Sequence, residues 1–151
     1  MMELIFKCKH FDDLTVYELY QILQLRQMVF VVEQNCPYLD ADGKDINAYH
    51  LMGEDAKGNL HTYTRLLAEG ISYPGYTSIG RVINSPTVRG KGYGKQLMKI
   101  SIHKIREIYP NWPIKIGAQA YLKSFYESFG FVDINIPYLE DGIPHLKMVL
   151  V

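Results

Sequence analysis

Three alternating glycines, Gly90, Gly92 and Gly94, constrain the fold of this chain more than any other sequence feature. They follow a segment predicted to be a strand and precede one with helical periodicity. Glycine adopts backbone conformations that other residues avoid, so such a turn can present several N–H groups to a ligand. The positive end of the helix dipole adds to these donors, and the turn is therefore suited to hold an anion.

The glycine spacing separates this turn from two common phosphate-binding motifs. A P-loop requires GxxxxGK[ST], but the residue five positions before Gly94 is Arg89, and Gln96 follows Lys95. A dinucleotide-binding fingerprint requires GxGxxG, whereas this turn reads GxGxG and no acidic residue ends a following strand. The pattern that fits is R-x-x-G-x-G, formed by Arg89, Gly92 and Gly94.

Periodicity and turn residues predict the element order β-α-β-β-β-α-β-α-β-β. A capping box at Thr15 and Glu18 predicts a first helix that runs to about Val32, followed by a polar loop. A second helix begins at Tyr93 and is stopped by Pro110. A short third helix is expected at 119–129, and strands are expected at 3–8, 49–54, 60–67, 78–84, 113–117, 131–136 and 145–150. Short connections between the second, third and fourth strands imply an antiparallel meander.

Composition excludes several classes of protein. A chain of 151 residues with 48% hydrophobic and 21% charged residues has the size and balance of one globular domain. The 16 basic residues equal the 16 acidic ones, so the chain offers no global attraction for nucleic acid. The amino-terminal segment lacks a basic leader and a long apolar run, and we expect a cytoplasmic protein without membrane contact. Cys8 and Cys36 lack CxxC spacing, and we expect no metal site.

A second motif places the glycine turn in a family. Residues 125–131, FYESFGF, resemble the LYEKLGF segment of the GNAT superfamily of N-acetyltransferases, to which the R-x-x-G-x-G pattern is also similar. Blocks at 25–34, 42–45, 117–119 and 138–145 resemble its ElaA-like branch. The resemblance implies a single domain over residues 1–151 with an α/β (α+β type) GNAT fold. Its mixed central sheet of six or seven strands would be largely antiparallel, with a splayed parallel pair in the middle and flanking helices.

The same resemblance implies acetyl-CoA as co-substrate and a primary amine, on a small molecule or a peptide, as acceptor. The pyrophosphate would rest on the backbone amides of residues 89–94, and the pantetheine arm would lie along the end of the fourth strand. Gln119 stands seven residues before Tyr126, where the superfamily commonly has Asn. The cofactor-binding residues implied in this way are Val82, Ile83, Asn84, Arg89, Gly90, Lys91, Gly92, Tyr93, Gly94, Lys95, Gln119 and Tyr126.

Acyl transfer requires a neutral amine. A lysine-like amine with a pKa of about 10.4 costs on the order of 4 kcal/mol to deprotonate at pH 7, so we expect a base or a water relay. The candidates are Glu33, Asp45, His50 and His145, of which His50 and Glu33 are assigned as catalytic. Tyr126 occupies the superfamily's general-acid position and would assist the departing thiolate, by proton transfer or by donating a hydrogen bond.

The acceptor side is less well defined by sequence. Arg26 lies in the apolar stripe of the first helix, where it either pairs with a carboxylate such as Glu33 or faces a cleft. The acidic loop at 40–45 indicates a cationic acceptor. The residues expected to contact the acceptor are Arg26, Glu33, Asp45 and His145.

Two other functions remain open at this point. Arg26-x-x-Val29-Phe30 is similar to a segment of acyl-homoserine-lactone synthases, which share the fold. A CoA-binding regulator without turnover would also keep the glycine turn. A strand after Pro144 could mediate a homodimer, by analogy at the level of the fold.

Overall fold

Two antiparallel sheets form the framework of the protein, whose computed structural model describes residues 2–151. The first sheet has the order β1-β2-β3-β4 and the second has the order β5-β7-β6. The strands are β1 (Ile5–His10), β2 (Tyr49–Glu54), β3 (Leu60–Leu67), β4 (Ser78–Asn84), β5 (Ile114–Gln119), β6 (Val132–Glu140) and β7 (Ile143–Leu150). The α-helices are α1 (Val16–Arg26), α2 (Tyr93–Ile108) and α3 (Lys123–Glu127).

The two sheets meet where β4 and β5 begin. The Thr77 N–H donates to the Pro113 carbonyl over 3.0 Å, and the Lys115 N–H donates to the Thr77 carbonyl over 2.9 Å. These bonds form a parallel bridge between Thr77 and Ile114, beyond which β4 and β5 belong to separate sheets. The expected GNAT fold, with a splayed parallel pair in the middle of a largely antiparallel framework, is confirmed.

An irregularity in β4 accompanies the splay. The pairing of β3 with β4 shifts between Tyr63 and Arg65, and Arg81 has a φ of 51° within the strand. A bulge of this kind bends a strand away from its regular course. The edge of β4 that faces β5 is therefore left open to a ligand.

Helices cover both faces of the first sheet. Side chains of β3 alternate between the two faces and contact a different helix on each. On one face Tyr63 packs with Ile22 and Val29 of the first helix. On the other face Leu66 packs with Met98 and Ile105 of α2. Thr64 also faces α2, where its hydroxyl lies 2.8 Å from that of Ser101. The open edge of β4 thus lies between a helix on one face and a helix on the other.

Several predicted boundaries agree with the structure and others do not. The strands predicted at 49–54, 60–67 and 78–84 coincide with β2, β3 and β4. β1 is shifted toward His10 because Lys9 and His10 pair with β2, which local polarity does not reveal. The first helix continues beyond α1 as a π-helix, Gln27–Glu33. The segment at 119–129 is divided into a 3-10 turn, Ala120–Leu122, and α3, and β6 and β7 extend to a tight hairpin at 140–143.

Within residues 2–151, no helix is both long enough and apolar enough to span a membrane.

Candidate active site

A cleft of about 720 Å³ occupies the gap between β4 and β5. Its walls come from the π-helix, the loop at 34–45, β4, the glycine turn, α3 and the β6–β7 hairpin. This volume is within the range typical of small-molecule and cofactor sites. The cleft joins one region, on the glycine-turn side, to a second region between the loop at 34–45 and the hairpin. We call these the donor side and the acceptor side.

Each glycine of the turn has a specific structural reason. Gly90 and Gly92 adopt φ values of 75° and 85°, in the left-handed region that favours glycine. At Gly94 a β-carbon would lie 2.9 Å from Asn84 Nδ2. Gly92 caps the amino terminus of α2, where the first N–H groups have no acceptor within the helix. These N–H groups are donors of the kind that the predicted phosphate site requires.

The side chains around the turn differ in their access to the cleft. Arg89 and Gly94 line it, while Lys91 and Lys95 are exposed and do not. The Tyr93 side chain is buried against Leu4 and Val88, and its hydroxyl donates to the Met2 carbonyl. Tyr93 can therefore contribute only its backbone N–H to a ligand, because its ring is fixed on the far side of the turn.

The end of β4 contributes the predicted residues Val82, Ile83 and Asn84, all of which line the cleft. Arg89 Nε donates to the Asn84 carbonyl over 2.9 Å, which joins the glycine turn to the strand. Among the described residues, Asn84 Oδ1 is a buried oxygen that lacks a hydrogen-bond donor. It offers an acceptor to a ligand that lies along β4.

Tyr126 and Gln119 approach the cleft from the opposite lip. Gln119 ends β5, and Tyr126 lies in α3 with 6% of its surface exposed. The Tyr126 ring makes edge contacts with Phe125 and Phe131, with centroids 5.2 and 6.0 Å apart. Burial raises the pKa of Tyr126 to about 12. The hydroxyl is therefore a hydrogen-bond donor that parts with its proton less readily than tyrosine in water.

A network of six charges forms the wall on the acceptor side. Its carboxylates all come from the loop at 34–45, and its guanidinium groups come from three different elements of the framework. Arg26 binds Asp40 and Asp45 at 2.7 and 2.6 Å. Arg65 binds Asp42 and Asp45 at 2.8 and 2.9 Å. Arg81 binds Asp40 and Asp42 at 2.8 and 3.3 Å.

Two residues that the sequence analysis expects to contact the acceptor, Arg26 and Asp45, belong to this network. Arg26 is fully buried and pairs with Asp40 and Asp45 rather than with Glu33. Burial opposes ionisation of Asp42, but the hydrogen bonds from Arg65 and from the Lys44 N–H, together with the charges of Arg65 and Arg81, outweigh it and lower the pKa of Asp42 to about 2. The geometry therefore argues against Arg26 and Asp45 as acceptor ligands, and the acidic loop does not indicate a cationic acceptor.

His50 also lies away from the cleft. Its exposure is 0%, its Nδ1 lies 2.6 Å from the Tyr63 hydroxyl, and its Nε2 lies 3.0 Å from the Asp45 carbonyl. Burial lowers the pKa of His50. The geometry argues against His50 as the base, because both ring nitrogens are occupied inside the core. The position of His50 on a predicted strand does not reveal that its ring is buried, because the burial comes from the loop at 34–45, which packs over the ring.

Two of the predicted residues do face the acceptor side. Glu33 ends the π-helix, lines the cleft, and pairs through Oε1 with Arg89 Nη1 at 2.7 Å. His145 also lines the cleft; its Nδ1 donates to the Ile143 carbonyl over 2.7 Å and its Nε2 lies 3.1 Å from Glu140 Oε2. Glu33, Tyr126 and His145 are thus brought to one cleft from distant parts of the sequence.

Sequence reasoning missed an aromatic floor on the acceptor side. Tyr73 and Tyr138 line the cleft, and the Lys147 ammonium donates to the Tyr73 hydroxyl over 2.9 Å while lying 4.2 Å from the Tyr138 ring centre. A β-carbon at Gly117 would collide with the Tyr138 hydroxyl. The sequence contains 12 tyrosines, which indicates that an aromatic site is possible, but this count does not show which tyrosines line the cleft. Residues 2–151 contain no group of three or more side chains suited to hold a metal ion.

The split between β4 and β5, the glycine turn that opens α2 and the tyrosine of α3 are the features that the resemblance to the GNAT superfamily of acyltransferases leads us to expect. Residues 38–151 match the family model described as "Acetyltransferase (GNAT) domain", and the chain belongs to this family.

Individual relatives agree with this assignment over nearly the whole chain. Protein ElaA of Escherichia coli K12 is 44% identical over 141 residues, which cover 92% of this chain and 91% of ElaA. A UPF0039 protein of Synechocystis is 41% identical over 148 residues, covering 98% and 96% of the two chains. The crystal structure of an acyl-CoA N-acyltransferase from Pseudomonas aeruginosa has a TM-score of 0.93 at 43% identity, covering 99% of this chain and 100% of that one. The chain is therefore an ElaA-like member of the family.

Proposed function

We propose that the protein transfers an acetyl group from acetyl-CoA to a primary amine of a small molecule or a peptide. The observation that carries this proposal is the continuity of the cleft. One cavity is lined by Arg89 and Gly94 of the glycine turn, by the open edge of β4, by Tyr126 and by Glu33. An acyl donor anchored at the turn can therefore present its thioester to an amine that enters from the acceptor side.

The donor side is suited to each part of acetyl-CoA. The backbone N–H groups of residues 89–94 and the amino terminus of α2 would bind the pyrophosphate. The pantetheine amides would pair with the edge of β4, which β5 leaves free beyond Thr77, and Asn84 Oδ1 supplies a further acceptor. This mode of binding explains how a chain with zero net charge can hold a polyanionic co-substrate.

Transfer would proceed by direct attack, without a covalent enzyme intermediate. The amine nitrogen forms a bond to the thioester carbonyl carbon, the carbon–sulfur bond breaks, and its electron pair remains on sulfur. The Tyr126 hydroxyl would donate a hydrogen bond to this thiolate. Because the pKa of Tyr126 is raised to about 12 and that of a thiol is about 8.5, complete proton transfer from tyrosine would cost roughly 5 kcal/mol. The thiolate would therefore take its proton later, from water.

The proton of the amine would pass to Glu33, directly or through a water molecule. Glu33 is favoured over His50 and Asp45 because its carboxylate lines the cleft and is 39% exposed. His145 would contact the acceptor from the hairpin side and is the second candidate for the base. The Ile143 carbonyl can only accept, so Nδ1 keeps its proton, and Nε2, which lies 3.1 Å from Glu140 Oε2, is the ring nitrogen that could exchange a proton.

Calorimetric titration with acetyl-CoA, CoA and NAD tests the donor, and release of free CoA thiol over a panel of primary amines tests the reaction. We expect the two CoA compounds to bind and NAD not to bind, and we expect at least one amine to release CoA. Absence of CoA binding would contradict the proposal at its centre. Binding without CoA release over a broad panel would favour a CoA-responsive regulator instead.

A further inference from the structure

The ion pair between Arg89 and Glu33 connects the donor side of the cleft to the acceptor side. Arg89 belongs to the glycine turn, and Glu33 is the last residue of the π-helix. Their side chains are 43% and 39% exposed and both line the cleft. The pair is therefore accessible to ligands on both sides, and it is more exposed than any pair of the six-charge network.

The geometry of Arg89 allows its partner to be exchanged. Its Nε is fixed on the Asn84 carbonyl at 2.9 Å, so the guanidinium group stays beside the glycine turn. Its Nη1 is bound to Glu33 Oε1 at 2.7 Å. A pyrophosphate on the amides of residues 89–94 would add a second anion next to the same guanidinium group. Phosphate oxygens bind guanidinium in paired hydrogen bonds, and a pyrophosphate carries more charge than one carboxylate.

We infer that the Arg89–Glu33 pair is a switch operated by the acyl donor. The pyrophosphate takes over the Arg89 guanidinium group and frees the Glu33 carboxylate on the acceptor side. Glu33 then becomes available to bind the acceptor ammonium and to accept its proton. This inference rests on the proposed function and adds an order to it, because the acceptor site is complete only when the donor is bound. By linkage, an amine that uses the freed carboxylate binds more tightly in the presence of CoA.

The Glu33→Gln variant tests the switch because the substitution should increase CoA affinity, whereas most substitutions in a binding site reduce it. Without a carboxylate that competes for Arg89, CoA should bind more tightly, by about two- to fivefold at low ionic strength, since exposed ion pairs contribute at this scale. The gain should shrink as salt is added. Pantetheine, which has no phosphate groups, should bind equally to the variant and to the unmodified protein. Turnover should fall in the variant even though donor affinity rises.

Glu107→Gln is the matched control for this measurement. Glu107 is exposed, forms an ion pair with Lys104 at 3.4 Å, and lies at the far end of α2, about 20 Å along the helix from the glycine turn. Its substitution also removes one negative charge, and it should leave CoA affinity unchanged. A gain of affinity equal to that of Glu33→Gln would show a general charge effect and would overturn the switch.

A double-mutant cycle with Arg89→Gln shows whether Glu33 acts through Arg89. Arg89→Gln alone should weaken CoA binding, and adding Glu33→Gln to it should have no further effect on CoA affinity. Unchanged or weaker CoA binding by the single Glu33→Gln variant would overturn the inference, as would an effect of equal size in the Arg89→Gln background. Failure of the unmodified protein to bind CoA would instead overturn the proposed function, so the two failures are distinguishable.

Discussion

The donor and acceptor sides of the cleft are built from different materials. The donor side consists mainly of backbone: an open strand edge, a turn with glycines at φ values of 75° and 85°, and the start of α2. The wall of the acceptor side consists of a loop fixed by ion pairs that join residues 14 to 41 positions apart, such as Arg26–Asp40 and Arg81–Asp40. The difference indicates that a common co-substrate can be recognised by local backbone geometry, while the acceptor site depends on long-range side-chain pairing.

The largest expected effect comes from breaking the acceptor wall at Arg26. Arg26→Met keeps most of the buried volume but leaves Asp40 and Asp45 without their innermost partner. Loss of one member of a buried charge network typically costs about 3–5 kcal/mol of stability. Denaturant unfolding monitored by fluorescence should show this loss.

On the donor side, Lys91→Gln is the corresponding control for Arg26→Met. Lys91 is exposed and makes only a 3.4 Å contact with the Thr87 carbonyl, so its loss should change stability by no more than about 0.5 kcal/mol. Equal effects of the two substitutions would contradict the division between a charge-fixed wall and a backbone-built turn.

The next largest effect concerns Tyr126, where the two sides meet. Tyr126→Phe removes the hydroxyl but keeps the ring that packs between Phe125 and Phe131. A hydrogen bond to a charged group contributes about 1.5–3 kcal/mol, so kcat should fall roughly 10- to 100-fold while CoA affinity changes little. Steady-state kinetics and calorimetry measure the two quantities. An unchanged kcat would remove the role proposed for this hydroxyl.

The same division explains which features the sequence predicts. The strands at 49–54, 60–67 and 78–84 have clear alternation and turn residues at both ends, and these local signals suffice for their boundaries. The glycine turn and Tyr126 belong to short motifs whose meaning is also local. β1 and the β6–β7 hairpin depend on pairing with other strands, and the predicted boundaries are wrong there by two to four residues.

Arg26, Asp45 and His50 show why the acceptor side was harder to predict. Each has a side chain able to bind an amine or to move a proton, and residue type alone cannot tell a ligand from a structural ion. In the folded chain all three are buried and bound to one another or to neighbours, with His50 Nε2 on the Asp45 carbonyl. Their environment is formed by the loop at 34–45, which folds over the sheet. The sequence of this loop has no hydrophobic periodicity from which its fold could be predicted.

A matched pair of glycines separates backbone strain from ligand binding. Gly92 in the donor turn and Gly43 in the acceptor loop have φ values of 85° and 84°, and at both a β-carbon would meet nothing within 4 Å. Alanine at either position should cost about 1 kcal/mol of stability, because a left-handed conformation is unfavourable for residues with a β-carbon. Only Gly92→Ala should also weaken CoA binding, as measured by calorimetry. Similar losses of CoA affinity in both variants would contradict the assignment of the turn.

The smallest expected effect is the acid sensitivity of the acceptor wall. Burial raises the pKa of Asp42, but hydrogen bonds from Arg65 and the Lys44 N–H and the charges of Arg65 and Arg81 together lower it to about 2, from an ordinary value of 3.8. A depressed pKa in the folded state contributes stability that is present above pH 4 and is lost as the pH falls toward 2. Because the Asp42 side chain is 25% exposed, solvent screening reduces this contribution to about 1 kcal/mol or less. Between pH 5 and pH 2, Asp42→Asn should therefore lose less stability than the unmodified protein, by that amount, in denaturant unfolding. An identical pH dependence of the two proteins would show that the Arg65–Asp42 pair does not stabilise the wall.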